Sequence, residues 1–285
     1  MQKVAIVTDS LACLTKELAE RYRIRVVPLN IHFAGKIYKD WVDITPAQAY
    51  ELFLKAPESW GSSAPSPGDY LKVFREAGKR IKNILCITVS SRVSATIDAA
   101  KLARKQAATE LPQTSIEVID SQLATAAEGL VALAAAKAAK AGKSLAEVAK
   151  VAEEIRDKVT FLAFLDTIKH VYRSGRIPKI AAQVGSLLNI KPILTMSSGV
   201  VRFKGAARNR DGGIERMLKV MRDRVGQKPV HVAVMHAYAL EEAQRLKERV
   251  ASAFNCAEIW ISEFSPLMGY ATGTGTLGLA FYAED

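Results

Sequence analysis

Hydroxyl side chains recur in this chain where strand-like runs give way to helical ones. Thr8-Asp9-Ser10, Ser90-Ser91 and Asp120-Ser121 each follow a short β-branched stretch. In an open parallel sheet, ligands sit outside the carboxyl ends of the strands, so these groups converge on one expected crevice. Each taken alone reads as a cap, since Ser and Asp satisfy the orphan amides of a first helical turn. Their recurrence along one sheet edge favours a binding role. The segment Trp60-Gly-Ser-Ser-Ala-Pro-Ser-Pro-Gly-Asp69 holds both uses side by side. Ser66, followed by Pro67 and Asp69, has the form of an N-cap with proline at the first helical position. Ser62 and Ser63 precede the extended Ala64-Pro65 pair, where no helix needs them, and are free to face a ligand. In Ser90-Ser-Arg-Val-Ser-Ala-Thr96 a helix is expected after the serines, which places backbone N–H groups near Ser94 where they can receive an anion, with the Ser94 hydroxyl beside them.

Hydroxyls and helix amides, without a dedicated arginine or metal, suit a carboxylate whose apolar tail supplies most of the affinity. A buried methylene contributes about 0.8 kcal/mol, so a tail of about ten contributes on the order of 8 kcal/mol before the costs of association. Apolar residues for such a tunnel are abundant in VTFLAFL, SLLNIKPILTM and LGLAFY, although the same residues serve equally as ordinary core.

The elements that must position these groups read as α/β. Val4 to Val7, Arg25 to His32, Ile84 to Val89 and Ser115 to Ile119 are expected strands alternating with amphipathic helices, the signature of a parallel sheet covered by helices. Ala124 to Lys140 and Leu145 to Asp157 are helices by propensity, separated by Gly142. From residue 159 the texture changes to a strand (VTFLAFL), a short helix ending in RSGRIP, a further helix and a strand from Lys191. A turn over Ser197 to Gly199 and a strand over Val200 to Phe203 make a hairpin. Strand, helix and strand follow over Val230 to Met235, Leu240 to Ala251 and Ile259 to Glu263, before a glycine-spaced loop and a closing strand, Leu277 to Tyr282. The expected organisation is an N-terminal parallel-sheet αβα domain over 1–158 and a second α/β or mixed-sheet domain over 159–285. No linker is rich enough in Pro, Gly or Ser for free hinge motion, so close packing of the two is expected.

With 285 residues, 49% of them hydrophobic, the chain can bury a large core. Its start, MQKVAIVTDS, lacks the long apolar run of a signal peptide, and no later run is long enough to span a membrane, so a cytoplasmic location without stable membrane insertion is expected. Cys13, Cys86 and Cys256 are scattered and read as core thiols. His32, His170, His231 and His236 form no ligand pair of metal-site spacing, so neither a metal nor a cofactor is expected. The net charge of +11 favours an acidic contact, but the basic residues are spread through helices without interleaved aromatics, so nucleic acid is not the expected partner. There is no phosphate loop, dinucleotide fingerprint or nucleophile elbow.

Eight segments in order resemble the DegV family: TDSLACL, VVPLNIHFAGKIYKD, SSAPSPGDY, SSRVSATIDAA, DSQLATAAEGL, LDTIKHVYRSGRI, LLNIKPIL and GYATGTGTLGLAF. The resemblance spans nearly the whole chain and implies a DegV-like fold, a long-chain fatty acid as ligand and no catalysis by the protein itself. In that family the binding protein presents an acyl carboxylate to a separate fatty acid kinase. By the same resemblance Ser62, standing where Thr is usual, and Ser94 would hold the carboxylate, with Ser63, Ala95, Ala271 and Thr272 as further pocket residues. Arg176, in a stretch reading SGRI where GGRI is usual, would contact the kinase. The closing loop departs from the family pattern, with Ala271 in the position of a histidine and Thr274 in that of a proline. Ala95 likewise stands where Gly is usual. Two other readings are a serine-dependent acyl hydrolase or transferase, with Ser62 or Ser94 as nucleophile, and a nucleic-acid-binding protein suggested by charge alone.

Overall fold

The computed structural model describes residues 2–168, 170–171 and 190–285. The chain opens with β1 (Val4–Asp9), fully buried, and a 3-10 turn over Ser10–Ala12 capped by Asp9. Helix α1 (Lys16–Tyr22) leads to β2 (Arg25–Val27), which pairs in parallel with β1. The expected strand over Arg25 to His32 does not run through. It breaks at Pro28, which has no N–H for a ladder, and Asn30–Phe33 becomes β3 of a different sheet. Strand β3 pairs antiparallel with β4 (Lys36–Lys39) and, across α2 (Pro46–Lys55), with β5 (Trp60–Ser63). This three-stranded sheet was not foreseen.

Helix α3 (Pro67–Gly78) starts at Ser66 with the expected capping box to Asp69. Then β6 (Asn83–Thr88), α4 (Thr96–Glu110) and β7 (Ser115–Asp120) complete a parallel four-stranded sheet in the order β2-β1-β6-β7. Helix α5 (Ala126–Lys140) is buried at all but two of its positions. It lies between two sheets, touching β1 on one side and the later strands on the other, and its alanines allow that double approach. Helix α6 (Leu145–Lys158) follows from a Ser144 capping box.

A mixed six-stranded sheet makes up the rest, as expected in kind. It contains β8 (Thr160–Phe164), β9 (Lys191–Ser197) and β10 (Val200–Ala207), the last two forming the anticipated hairpin. Helix α7 (Arg210–Val225), β11 (Val230–His236), α8 (Leu240–Ala253) and β12 (Cys256–Glu263) follow. The segment after β12, read as a loop, contains a helix, α9 (Pro266–Thr272), capped by Ser265, before β13 (Leu277–Ala283) enters the centre of the sheet. Residues 169 and 172–189, over which most of the two expected helices fall, and Arg176 with them, lie outside the described residues. Among the described residues no helix is long and apolar enough to cross a membrane.

The loop before β13 is locked by charge. Arg210 donates to Asp166 at 2.7 Å and to the carbonyl of Gly275 at 2.7 Å, while Lys191 holds the other Asp166 oxygen at 2.7 Å. Gly275 has φ +82°, and a Cβ there would stand 2.5 Å from the Asp166 carboxylate. Gly275→Ala is therefore expected to destabilise the fold by about 1–3 kcal/mol from backbone strain, with a further loss as the ion pair is displaced. A lowered denaturant midpoint checks this; an unchanged midpoint would show that the loop relaxes freely.

Candidate functional site

Between the parallel sheet, the small antiparallel sheet and the hairpin lies a cavity. Its walls come from both halves of the chain. The first half supplies Leu11, Leu29, Ser62, Ser63, Ala64, Val93, Ser94 and Ala124; the second supplies Phe161, Ala163, Leu194, Met196 and Val201 from β8 to β10, and Leu267, Met268, Ala271 and Thr272 from α9. None of these residues is charged, and the polar ones are four hydroxyl side chains. Such a wall accepts an apolar ligand with one small polar head.

The four hydroxyls are not equivalent. Strand alternation puts Ser62 opposite Ile31, which is fully buried, and Ser63 on the other face, opposite Asn30. The Ser63 oxygen accepts from Asn30 Nδ2 at 3.0 Å and lies 2.9 Å from His32 Nε2. The Ser62 hydroxyl has no internal hydrogen bond among the described residues and borders the cavity. Ser94 Oγ is 2.8 Å from Thr96 Oγ1 and accepts the Thr96 amide at 3.3 Å. Thr272 Oγ1 donates to the Met268 carbonyl at 3.1 Å, one helical turn back. The cavity thus has one unengaged hydroxyl, Ser62, and one that is shared, Ser94.

Of the amides around Ser94, several are already engaged. The Ser94 N–H donates to the Ser90 carbonyl at 3.2 Å, Thr96 to Ser94 Oγ, and Asp98 and Ala99 to the Ala95 carbonyl. Ala95 is exposed, serves as the N-cap residue of α4 and does not line the cavity. Ala271 does line it, and is 6% exposed.

The polar residues at the strand ends hold loops. Ser90 Oγ donates to the Gly199 carbonyl at 2.8 Å, fastening the β9–β10 turn to the parallel sheet. Asp120 receives the amides of Ser91 and Gln122, and Ser10 Oγ that of Leu29. The crevice is where the strand ends converge, but apolar neighbours such as Leu11, Val93 and Ala124 form its wall.

Behind it lies a cluster that sequence reasoning missed. Asp9 is fully buried and accepts the amides of Leu11 at 3.0 Å and Val89 at 2.9 Å. Glu128, also fully buried, accepts from Thr8 Oγ1 at 3.0 Å through one oxygen, and its other oxygen has no partner among the described residues. Burial pushes Asp9 up to about 7; burial, and then the charge of Asp9, pushes Glu128 well above the usual carboxylate range. Asp40, likewise buried, receives the Ser265 hydroxyl at 2.7 Å, tying the start of α9 to the end of β4, and burial raises it to about 6.

Acids raised in this way hold protons in the native state that the unfolded chain gives up from about pH 4. The contribution of these acids to native stability is then full below that point and is lost as pH rises through about 7. Glu128→Gln, which keeps an acceptor for Thr8 but cannot ionise, is expected to flatten this decline. Urea midpoints across the range check it, and parallel pH profiles for both proteins would exclude Glu128 as a source of the slope.

Two of the histidines are engaged elsewhere. His231 bonds Glu258 and Glu284, and His236 accepts the Ala239 amide. Ser63 forms a hydrogen-bonded pair with His32 at the cavity, and neither serine nominated as nucleophile is bonded to His32, His231 or His236. Among the described residues no carboxylate is bonded to the other His32 nitrogen, as an orienting third member would be.

Comparison with known proteins agrees with this architecture. The family model described as "Uncharacterised protein, DegV family" matches residues 3–284. Protein DegV of Bacillus subtilis is 30% identical over 280 residues, 98% of each chain. A DegV domain-containing protein of Clostridium acetobutylicum is 33% identical over 284 residues, covering 99% of this chain and 98% of its own. Among solved structures, a fatty acid-binding DegV family protein of Thermus thermophilus superposes with a TM-score of 0.89 at 32% identity, covering 99% of this chain and 100% of its own. DegV of Bacillus subtilis, described as a fatty acid binding protein, gives 0.90 at 28% identity over the whole of both chains. In sequence and in fold, over nearly its full length, this chain belongs to the DegV family.

Proposed function

We propose that this chain is a lipid-binding protein rather than an enzyme. Its cavity takes one long-chain fatty acid, the carboxylate between the hydroxyls of Ser62 and Ser94 and the tail along Phe161, Leu194 and Met196. The observation that carries this reading is the cavity wall, apolar and uncharged with hydroxyls as its side-chain polar groups, one of which, Ser62, has no internal partner among the described residues. The fatty acid-binding relatives of Thermus thermophilus and Bacillus subtilis support the choice of ligand.

The finer reading is that the protein works in the cytoplasm without a cofactor and presents its ligand to a separate fatty acid kinase, with Arg176 on the side offered to that partner. Ala271 puts a methyl group at the cavity wall where the family pattern has a histidine, so this side chain cannot exchange a proton with the head group. Proton handling during acyl phosphorylation then falls to the partner. Organic extraction of the denatured protein followed by mass spectrometry is expected to release close to one fatty acid per chain, or the delipidated protein to take up added acid to that stoichiometry. No lipid and no uptake would refute the reading.

A further inference from the structure

The hairpin that walls the cavity also borders a separate, polar cleft, and Met196 lines both. Five cations border this cleft: Arg156 and Lys158 at the end of α6, Arg202 and Lys204 on β10, and Arg224 in the last turn of α7. They face a single carboxylate, Asp157. Asp157 is held by Arg156 at 2.8 Å and Lys158 by Asp285 at 2.5 Å, so those two cations are matched. Arg202, Lys204 and Arg224 have no ion pair among the described residues. Arg202 pairs with Thr195 in the hairpin ladder, while Lys204 is the unpaired residue of a bulge between Phe203 and Gly205, and both border the cleft. The turn hydroxyls Ser197 and Ser198 also border the cleft.

Three unmatched cations around one concavity repel one another unless an anion joins them. Guanidinium forks match phosphate oxygens two at a time, and hydroxyls complete such a shell. The concavity suits a molecule-sized group, whereas an acidic protein needs a broad face of about 800 Å². We propose that this cleft is a second binding site, distinct from the apolar cavity, for a multiply charged phosphate group held by Arg202, Lys204 and Arg224. A soluble polyphosphate ester and a phospholipid head group share that chemistry.

Calorimetric titration of the whole protein at low salt with inorganic tripolyphosphate separates these sources from flotation with phosphatidylcholine vesicles that do or do not contain phosphatidic acid. Saturable binding of the tripolyphosphate is expected for a soluble ester; binding only to the acidic vesicles supports the head group. In either case Arg202→Ala and Arg224→Ala each weaken binding about tenfold or more, and added salt weakens it further. Lys101→Ala, which removes an exposed cation of α4 that does not border the cleft, leaves it unchanged. Fatty acid uptake is retained in both arginine variants, which shows that their fold survives. Absence of binding in both arms, binding that persists in both arginine variants, or retention only of a polymer such as DNA would overturn the proposal.

Discussion

Replacing Ser62 and Ser94 together by alanine is expected to weaken fatty acid binding by about two to four orders of magnitude while leaving the fold intact. A hydrogen bond to a charged group contributes about 1.5–3 kcal/mol, and a carboxylate that loses both partners in an uncharged cavity has no described cation to replace them. The two single variants should differ. Ser62 has no other internal partner, so its whole contribution goes to the ligand, and Ser62→Ala is expected to cost about tenfold or more. Ser94 already shares its oxygen with Thr96, so Ser94→Ala costs less in affinity and something in the α4 cap. Displacement of a fluorescent fatty acid measures both. Equal and full affinity in the double variant would place the head group elsewhere.

The second large effect concerns the tail. Ala163 lies on β8 between Gly278 and Leu194, is 1% exposed and lines the cavity, so Ala163→Phe projects a ring into the space assigned to the chain. Displacing about four methylenes removes about 3 kcal/mol, a loss of more than about a hundredfold for long acids. Shorter acids, whose tails end before this point, should lose little, so a chain-length series separates a blocked tunnel from a damaged protein. The ring fills empty space in the unliganded protein, which limits its overpacking cost to about 1–3 kcal/mol. The same loss at every chain length would argue that Ala163 does not border the tail.

How much of this was legible in the sequence depended on how local the cause was. The capping box of Ser66 and Asp69, the strands of the parallel sheet and the β9–β10 hairpin follow from neighbours in the chain. Helix α5 was readable from alanine propensity, but the reason for so many alanines, a helix pressed between two sheets, is tertiary. The apolar run from Arg25 to His32 gave no sign, beyond Pro28, that the chain changes sheets. Helix α9 was hidden by the glycines around it, although Leu267, Met268, Ala271 and Thr272 carry the spacing of one helical face.

At the site, Ser62 stood out because no helix start accounts for it. Ser63 looked the same in sequence, and only the pairing of β5 with β3 brings Asn30 and His32 to its hydroxyl. Asp9 read as one of the strand-end residues facing the crevice, because Glu128, its buried neighbour, comes from another element far along the chain. The basic cleft was invisible for a similar reason, since its cations are scattered from Arg156 to Arg224 and meet only in the fold.

Co-crystallisation with an ω-brominated long-chain fatty acid tests the central claim most directly. The expected result is a carboxylate within hydrogen-bond distance of the Ser62 and Ser94 hydroxyls, with the bromine's anomalous signal at the far end of the apolar cavity among residues such as Phe161, Leu194 and Met196. A crystal in which protein atoms fill that space, or in which both hydroxyls face bulk solvent and the acid lies elsewhere, would contradict it.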